Sequence, residues 1–155
     1  MTKDADAAPH PLWRPGVTLE RLAERLADTL AEHIGIELTD LGPDSLTATM
    51  PIDHRTCQPM RMLHGGASVV LAETIGSLAA NAANHDPTRH HVGQEINANH
   101  LRPVPEGETV IGTARAVHIG RSSQVWNIEI RNARGQLVCV SRLTTAAVPA
   151  TRQES

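Results

Sequence analysis

The stretch LHGGASVVLAETIGSLAAN, residues 63–81, constrains the fold of this chain more than any other segment. From residue 65 onward it predicts a helix that is apolar nearly all round. Such a helix has to be covered on most of its sides, so the rest of the chain must wrap around it. The only charged residue between Gly65 and Ala80 is Glu73. Burying an unpaired carboxylate is costly, so Glu73 has either a structural partner or a function.

The hydrophobic pattern changes from the period of a helix to that of β-strands after this segment. Four strands are predicted there, at residues 91–102, 109–118, 122–131 and 136–148. Two shorter strands are predicted before the helix, at residues 36–39 and 45–50. Thr18 is the expected N-cap of a first helix that Gly35 ends and whose buried face carries Leu19, Leu22, Leu26 and Leu30. This order predicts an α+β fold in which one long helix lies on a curved antiparallel sheet.

The length of 155 residues suits one domain with a real core. We place that domain at residues 17–149, between a flexible, proline-bearing N-terminal arm at residues 1–16 and a disordered tail at residues 150–155. The chain has no Phe and no Tyr, so its core must be aliphatic.

Composition and motifs exclude several classes of function. A net charge of −3 and the scarcity of aromatic residues argue against a nucleic-acid partner. The sequence shows no signal peptide and no apolar run long enough to span a membrane, and Cys57 and Cys139 fit reduced thiols, so we expect a cytoplasmic protein with no membrane partner. Phosphate-loop, dinucleotide-binding, serine-hydrolase and metal-ligand motifs are all missing, so neither a cofactor nor a metal is expected.

The glycine pair at the start of the long helix is a candidate oxyanion site. The first N–H groups of a helix have no internal partner, and glycine lets a ligand approach the backbone closely. Gln58 and His64 flank this turn, and either could donate a hydrogen bond to a carbonyl oxygen. The alternative is a sharp turn at Gly65 with His64 as a cap and Gln58 solvated.

Ser77 follows Glu73 by four residues and therefore shares its helix face. Its hydroxyl could bind the carboxylate or a substrate; alternatively, Glu73 is a structural acid paired with an arginine, or is simply exposed. His100 lies on the core-facing side of a predicted strand, where it lines a pocket or serves as a structural histidine. The turn with Gly120, Arg121 and Ser122 could hold a phosphate, or be a solvated hairpin.

Three runs of sequence resemble a known family. They are TMPIDHRTCQPMRMLHGGASVVLAETIGS, VGQEINANHLRP and HIGRSSQVWNIEI with the later LTTA, and they belong to a match that covers roughly residues 18–148. They resemble the hot-dog-fold acyl-CoA thioesterases (the PaaI-like family), and most of all the branch with 1,4-dihydroxy-2-naphthoyl-CoA thioesterases and enterobactin-pathway proofreading thioesterases. The resemblance implies a hot-dog fold, in which a curved antiparallel sheet wraps a long central helix.

The resemblance also implies roles for individual residues. Glu73 is the catalytic carboxylate and the Gly65 N–H is the oxyanion donor, with His64 and Gln58 around the carbonyl group and Ser77 orienting the water or the Glu73 carboxylate. The implied substrate-binding residues are His100, Met60, Leu78, Gly120, Arg121 and Ser122. Met60 stands where the closest members have an aromatic residue, and the acyl group is not implied.

The resemblance further implies a homotetramer, a dimer of dimers. Two protomers pair their sheets edge to edge, and Glu73 of one protomer faces Gln58, His64 and Gly65 of the other. The expected activity is hydrolysis of an aromatic, 1,4-dihydroxy-2-naphthoyl-CoA-like, or medium-chain acyl-CoA. The alternatives are a non-catalytic hot-dog protein that binds acyl-CoA or an acyl carrier, and a thioesterase acting on acyl carrier protein.

Overall fold

The chain forms one long helix and one six-stranded antiparallel sheet in a computed structural model that describes residues 12–150. The helices are α1 (Leu19–Ala23), α2 (Leu30–His33) and α3 (Gly65–Ala82). The strands are β1 (Glu37–Leu41), β2 (Ser45–Pro51), β3 (Arg89–His100), β4 (Thr109–Ile119), β5 (Ser123–Asn132) and β6 (Leu137–Pro149). They lie in the order β1-β2-β4-β5-β6-β3. The predicted α+β, hot-dog arrangement is confirmed.

Helix α3 is covered by the sheet as its composition requires. It contacts β2, β3, β4, β5 and β6. Its side toward the sheet buries Leu71, Ile75 and several alanines. At Gly76 the helix lies so close to the sheet that a Cβ atom would be 2.6 Å from Leu143 Cδ2. Small residues on this face therefore let the helix rest directly on β6.

The core is aliphatic except for one stacked pair of tryptophans. Trp126 of β5 is fully buried, and its ring stacks on Trp13 with centroids 6.2 Å apart. Trp13 Nε1 also donates to the carbonyl oxygen of Gly42 at 2.7 Å. Trp13 belongs to the predicted arm, residues 1–16, so this end of the arm packs on the domain. Residues 1–11 of the arm lie outside the described residues.

The first residue of the C-terminal tail predicted for residues 150–155 is hydrogen-bonded to the domain. The backbone N–H of Ala150 donates to the carbonyl oxygen of Thr88 at 2.8 Å. Residues 151–155 lie outside the described residues. No helix within residues 12–150 is both long enough and apolar enough to cross a membrane.

The prediction of a single first helix is wrong. The chain leaves the helical path at Asp28, which has a φ of +57°, and forms α1, a 3-10 turn at Glu24–Leu26 and then α2. As a consequence Leu30 is 58% exposed, although the helical spacing predicted it to be buried. Gly35 ends α2 with a φ of +76°, as predicted.

Candidate active site

Glu73 lies half-buried in the middle of α3 and has a hydroxyl group as its partner. Ser77 Oγ donates to Glu73 Oε1 at 3.0 Å, as the spacing of four residues predicts. Within residues 12–150, no Lys, Arg or His side chain forms a salt bridge with Glu73. The alternative of a structural acid paired with an arginine therefore finds no support in this protomer. The second oxygen, Oε2, is available to other groups.

The Glu73 side chain lines a groove of about 390 Å³ between α3, the α1–α2 segment and β3. The groove wall is mostly aliphatic, and its apolar members are Leu26, Leu30, Ala31, Val69, Val70, Leu78 and Ile96. The exposed Leu30 forms part of this wall. A carboxylate at the side of an apolar groove can act on a polar group that an apolar ligand carries in with it.

The start of α3 has the features of an oxyanion site. His64 is the N-cap, and its Nδ1 accepts from the N–H of Gly66 at 2.8 Å. In the neutral imidazole the proton is then on Nε2, which is free to donate. The N–H of Gly65 has no hydrogen-bond partner among the described residues. Two donors therefore lie near the positive end of the helix dipole.

A second cavity brings Gln58, Gly65 and His100 together. It has a volume of about 370 Å³, and Leu63, Ser68 and Arg102 also contribute to its wall. The ring of His100 packs on Gly65, where a Cβ would lie 2.8 Å from His100 Nε2. Gln58 Oε1 accepts from the N–H of Met60, which leaves Gln58 Nε2 as a donor. The cavity thus holds an amide donor and a backbone donor side by side.

Glu73 and Gly65 lie in separate cavities of the same protomer. They are eight residues apart on α3, and a rise of about 1.5 Å per residue separates them by about 12 Å along the helix axis. No single carbonyl group could contact both. Within one chain the predicted site residues therefore form two half-sites, with Glu73, Ser77 and Leu78 in one and Gln58, His64, Gly65 and His100 in the other.

The remaining predicted substrate-binding residues line neither of the two cavities. Gly120, Arg121 and Ser122 form the turn between β4 and β5, where the N–H of Gly120 donates to the carbonyl oxygen of Ser123. Arg89 Nη1, from β3, donates to the carbonyl oxygen of Arg121 in the same turn at 3.4 Å. Met60 is 72% exposed and lines neither cavity.

The environment of Cys57 does not favour a nucleophilic thiolate. Partial desolvation, and then the negative charge of Glu106, raise the pKa of the Cys57 thiol. A thiol with a raised pKa is mostly protonated near neutral pH. Within residues 12–150, no three His, Cys, Asp or Glu side chains cluster in a way that could hold a metal ion.

Gly93, beside Glu73, and Asn81, two turns further along α3, were not found from the sequence. Gly93 of β3 lies under the carboxylate, where a Cβ would collide with Glu73 Oε1 and lie 3.2 Å from its Cδ. Asn81, at the end of α3, binds the backbone of β3 at His91. Both contacts form only where β3 packs against α3. The spacing of apolar residues in β3 is the only sequence signal of that packing.

Comparison with known proteins identifies the family of this chain. The profile of the thioesterase superfamily matches residues 60–139. The chain is 48% identical to the proofreading thioesterase EntH of Cronobacter turicensis, over 88% of this chain and 98% of the relative. It is 47% identical to the 1,4-dihydroxy-2-naphthoyl-CoA hydrolase of Escherichia coli K12, over 87% of this chain and 98% of the relative.

A solved structure shows the same fold at similar identity. The thioesterase from Haemophilus influenzae is 46% identical, with a TM-score of 0.85 over 93% of this chain and 99% of that one. The resemblance inferred from the sequence motifs is thereby confirmed. This chain belongs to the thioesterase superfamily of hot-dog-fold enzymes and is a thioester hydrolase.

Proposed function

We propose that this hydrolase cleaves an acyl-CoA whose acyl group is aromatic, like 1,4-dihydroxy-2-naphthoyl, or of medium chain length. The observation that carries the proposal is Glu73, a half-buried carboxylate that has a hydroxyl partner and no cationic partner among residues 12–150 and faces an apolar groove. The groove offers space for the acyl group, with Leu78 and Ile96 in its wall. The names of the two relatives support a thioester of this kind.

Glu73 is proposed to act as a base. It takes a proton from water, the water oxygen attacks the thioester carbon, and the C=O electron pair moves to the oxygen. The Gly65 N–H and Gln58 Nε2 stabilise this oxyanion. The intermediate then expels the thiolate, which receives the proton from Glu73; because a free thiol has a pKa of about 8.5, this group leaves without strong acid assistance.

A direct attack by Glu73 on the carbonyl carbon is the second form of this mechanism. It would give a mixed anhydride that water then hydrolyses. In either form Ser77 fixes one carboxylate oxygen and leaves the other for the reaction. His64 Nε2, left free by the cap, and the ring of His100, which packs on Gly65, are proposed to contact the thioester from this half-site.

The complete site is proposed to form between two protomers. Glu73 and Gly65 are eight residues apart on α3, or about 12 Å along the helix axis. One chain therefore cannot supply both groups to the same carbonyl. Strand β3 pairs with β6 on one side, and among the described residues no strand pairs with its other edge. A long open edge favours pairing with a second copy. Such a dimer would bring Glu73 of one protomer to Gln58, His64 and Gly65 of its partner, and two dimers would form the tetramer.

The CoA moiety is proposed to extend toward the turn of Gly120, Arg121 and Ser122. The guanidinium of Arg121 and the nearby Arg89 supply positive charge for its phosphates, which arginine binds with a planar fork of donors. The proposed location is the cytoplasm, where both free cysteines, Cys57 and Cys139, would stay reduced.

A thiol-release assay tests the proposal. The substrates are 1,4-dihydroxy-2-naphthoyl-CoA, benzoyl-CoA and hexanoyl-CoA, and the proteins are the wild type, Glu73→Gln and Glu73→Ala. We expect turnover by the wild type and a loss of about 10²–10⁴ in kcat for both variants, as for other positioned proton acceptors. Circular dichroism should show an unchanged fold.

Three outcomes would contradict the proposal. Turnover retained by Glu73→Ala would remove this residue from the chemistry. Tight binding of all three thioesters without release of CoA would favour the non-catalytic binding protein, and activity restricted to a carrier-protein thioester would replace CoA as the substrate handle.

A further inference from the structure

A side-chain amide joins the end of α3 to the edge strand β3. Asn81 Oδ1 accepts from the backbone N–H of His91 at 3.0 Å, and Asn81 Nδ2 donates to the His91 carbonyl oxygen at 2.8 Å. The same Nδ2 donates to the carbonyl oxygen of Ser77 at 3.0 Å. The Asn81 amide thus forms the same pair of hydrogen bonds with β3 that the backbone of a neighbouring strand would form. It also bonds to the backbone of α3.

Both ends of this connection lead to Glu73. On the helix side, Ser77 carries the hydroxyl that donates to Glu73 Oε1. On the strand side, Gly93 follows His91 by two residues and lies against the same carboxylate. The register between β3 and β6 shifts between Gly93 and Glu95, so the sheet ladder is irregular at this point. The spacing of α3 and β3 around Glu73 therefore depends on Asn81 as well as on the sheet.

The side chain of His91 is anchored in a buried network, which makes its backbone a firm partner for Asn81. Trp126 Nε1 donates to Gln124 Oε1 at 2.9 Å, so Gln124 Nε2 is the donor to His91 Nε2 at 3.2 Å. The neutral ring then carries its proton on Nδ1, which donates to Thr145 Oγ1 at 2.9 Å. A buried network in which every group is satisfied favours one arrangement.

We propose that Asn81 is a positioning residue for hydrolysis. It holds Ser77 and the Gly93 segment of β3 at a fixed spacing, and the carboxylate of Glu73 is thereby aimed at the thioester. The inference rests on the proposed function of Glu73. Without the amide, the carboxylate can shift, and a misplacement of about 1 Å can cost about 10² in rate.

The first experiment compares Asn81→Ala with the matched variant Asn84→Ala, on the fastest of the three CoA thioesters named above. Asn84 is also an amide near the end of α3, and its Nδ2 donates to the carbonyl oxygens of Asp86 at 3.0 Å and Arg89 at 2.7 Å. It contacts neither Ser77 nor His91 through these bonds. We expect kcat to fall about 10- to 100-fold for Asn81→Ala with KM nearly unchanged, and kcat to stay near the wild-type value for Asn84→Ala.

A double-mutant cycle with Ser77→Ala separates positioning from a general loss of stability. If Asn81 acts through the contact of Ser77 with Glu73, the two substitutions together should lower kcat by less than the product of their single effects. Effects that multiply fully would overturn the proposal. So would equal kcat values for Asn81→Ala and Asn84→Ala, or a change in KM alone.

Two further variants keep every outcome informative. If Asn81→Ala does not fold, Asn81→Asp takes its place, because it keeps the volume and the acceptor for the His91 N–H but removes both donors; wild-type kcat in Asn81→Asp would overturn the proposal. Glu73→Ala is measured in the same assay. If it retains turnover, the proposed function fails; if it is inactive while Asn81→Ala behaves as Asn84→Ala does, only the positioning role fails.

Discussion

The position of Glu73 depends on small and polar residues around its carboxylate. Gly93 leaves room for the carboxylate on the strand side, and Ser77 donates to it from the next turn of the helix. Gly93→Ala would place a methyl group where Oε1 now lies. We expect kcat to fall about 10- to 100-fold because the carboxylate must rotate away from its reactive orientation.

Gly42→Ala is a suitable control for Gly93→Ala in steady-state kinetics. A Cβ at Gly42 would lie 2.8 Å from Ser45 Oγ, so it also crowds a polar side chain, but in the turn before β2. Its kcat should match the wild type. Both variants need a check of oligomer size by light scattering, because Gly93 lies on the edge strand. A fully active Gly93→Ala variant of normal size would show that Glu73 tolerates displacement.

At the scale of secondary structure, the start of α3 combines a cap with a proposed catalytic donor in one residue. His64 Nδ1 caps the helix by accepting from Gly66, and its Nε2 points outward as a donor. His64→Asn keeps a good N-cap but removes that donor, whereas His64→Ala removes both. We expect His64→Ala to lose about 1 kcal/mol of unfolding free energy and His64→Asn to lose little.

Both His64 variants should lose a similar factor in kcat/KM, although only His64→Ala loses stability. The effect on activity can then be told apart from the effect on stability. Urea unfolding gives the free energies, and the thiol-release assay gives the rates. If His64→Asn keeps full activity, His64 is a cap only and its Nε2 does not contact the thioester.

The sequence predicted most elements of this fold because the two hydrophobic periods are distinct. The strands and α3 begin and end within two residues of the predicted bounds. The prediction of a single first helix failed because a leucine at every third or fourth position is also compatible with two short helices joined at Asp28. Spacing along α3 was enough to pair Glu73 with Ser77. Gly93 and Asn81 were missed because their contacts form only after β3 folds back onto α3.

At the scale of the whole molecule, the buried His91 makes stability depend on pH. Burial, and then the positive charge of Arg89, lower the pKa of His91 below its ordinary value of about 6.5. The unfolded chain therefore binds this proton at a higher pH than the folded chain does. Its contribution to stability is complete above about pH 6.5 and is lost as the pH falls from there toward the folded-state pKa.

Thermal unfolding between pH 5 and 8, about the range in which histidine titrates, checks this pH dependence. The Tm of the wild type should fall as the pH drops below about 6.5, and the fall should be smaller in His91→Gln. His90→Gln is the matched control, because His90 is the exposed neighbour on the same strand, and it should keep the wild-type slope. Identical slopes for His91→Gln and the wild type would show that another group controls the acid side.

The proposed assembly of two half-sites predicts complementation between inactive variants. Glu73→Ala and Gln58→Ala each damage every site of a homodimer, but a mixed dimer has one site with both native residues. With random pairing, a co-expressed one-to-one mixture should recover about a quarter of the wild-type activity per protomer. A mixture of Glu73→Ala with Ser77→Ala is the control, because these residues share a half-site and no mixed dimer restores a complete site. If the first mixture gains nothing over its components, although co-purification of differently tagged copies shows mixed dimers, then each chain builds its own active site.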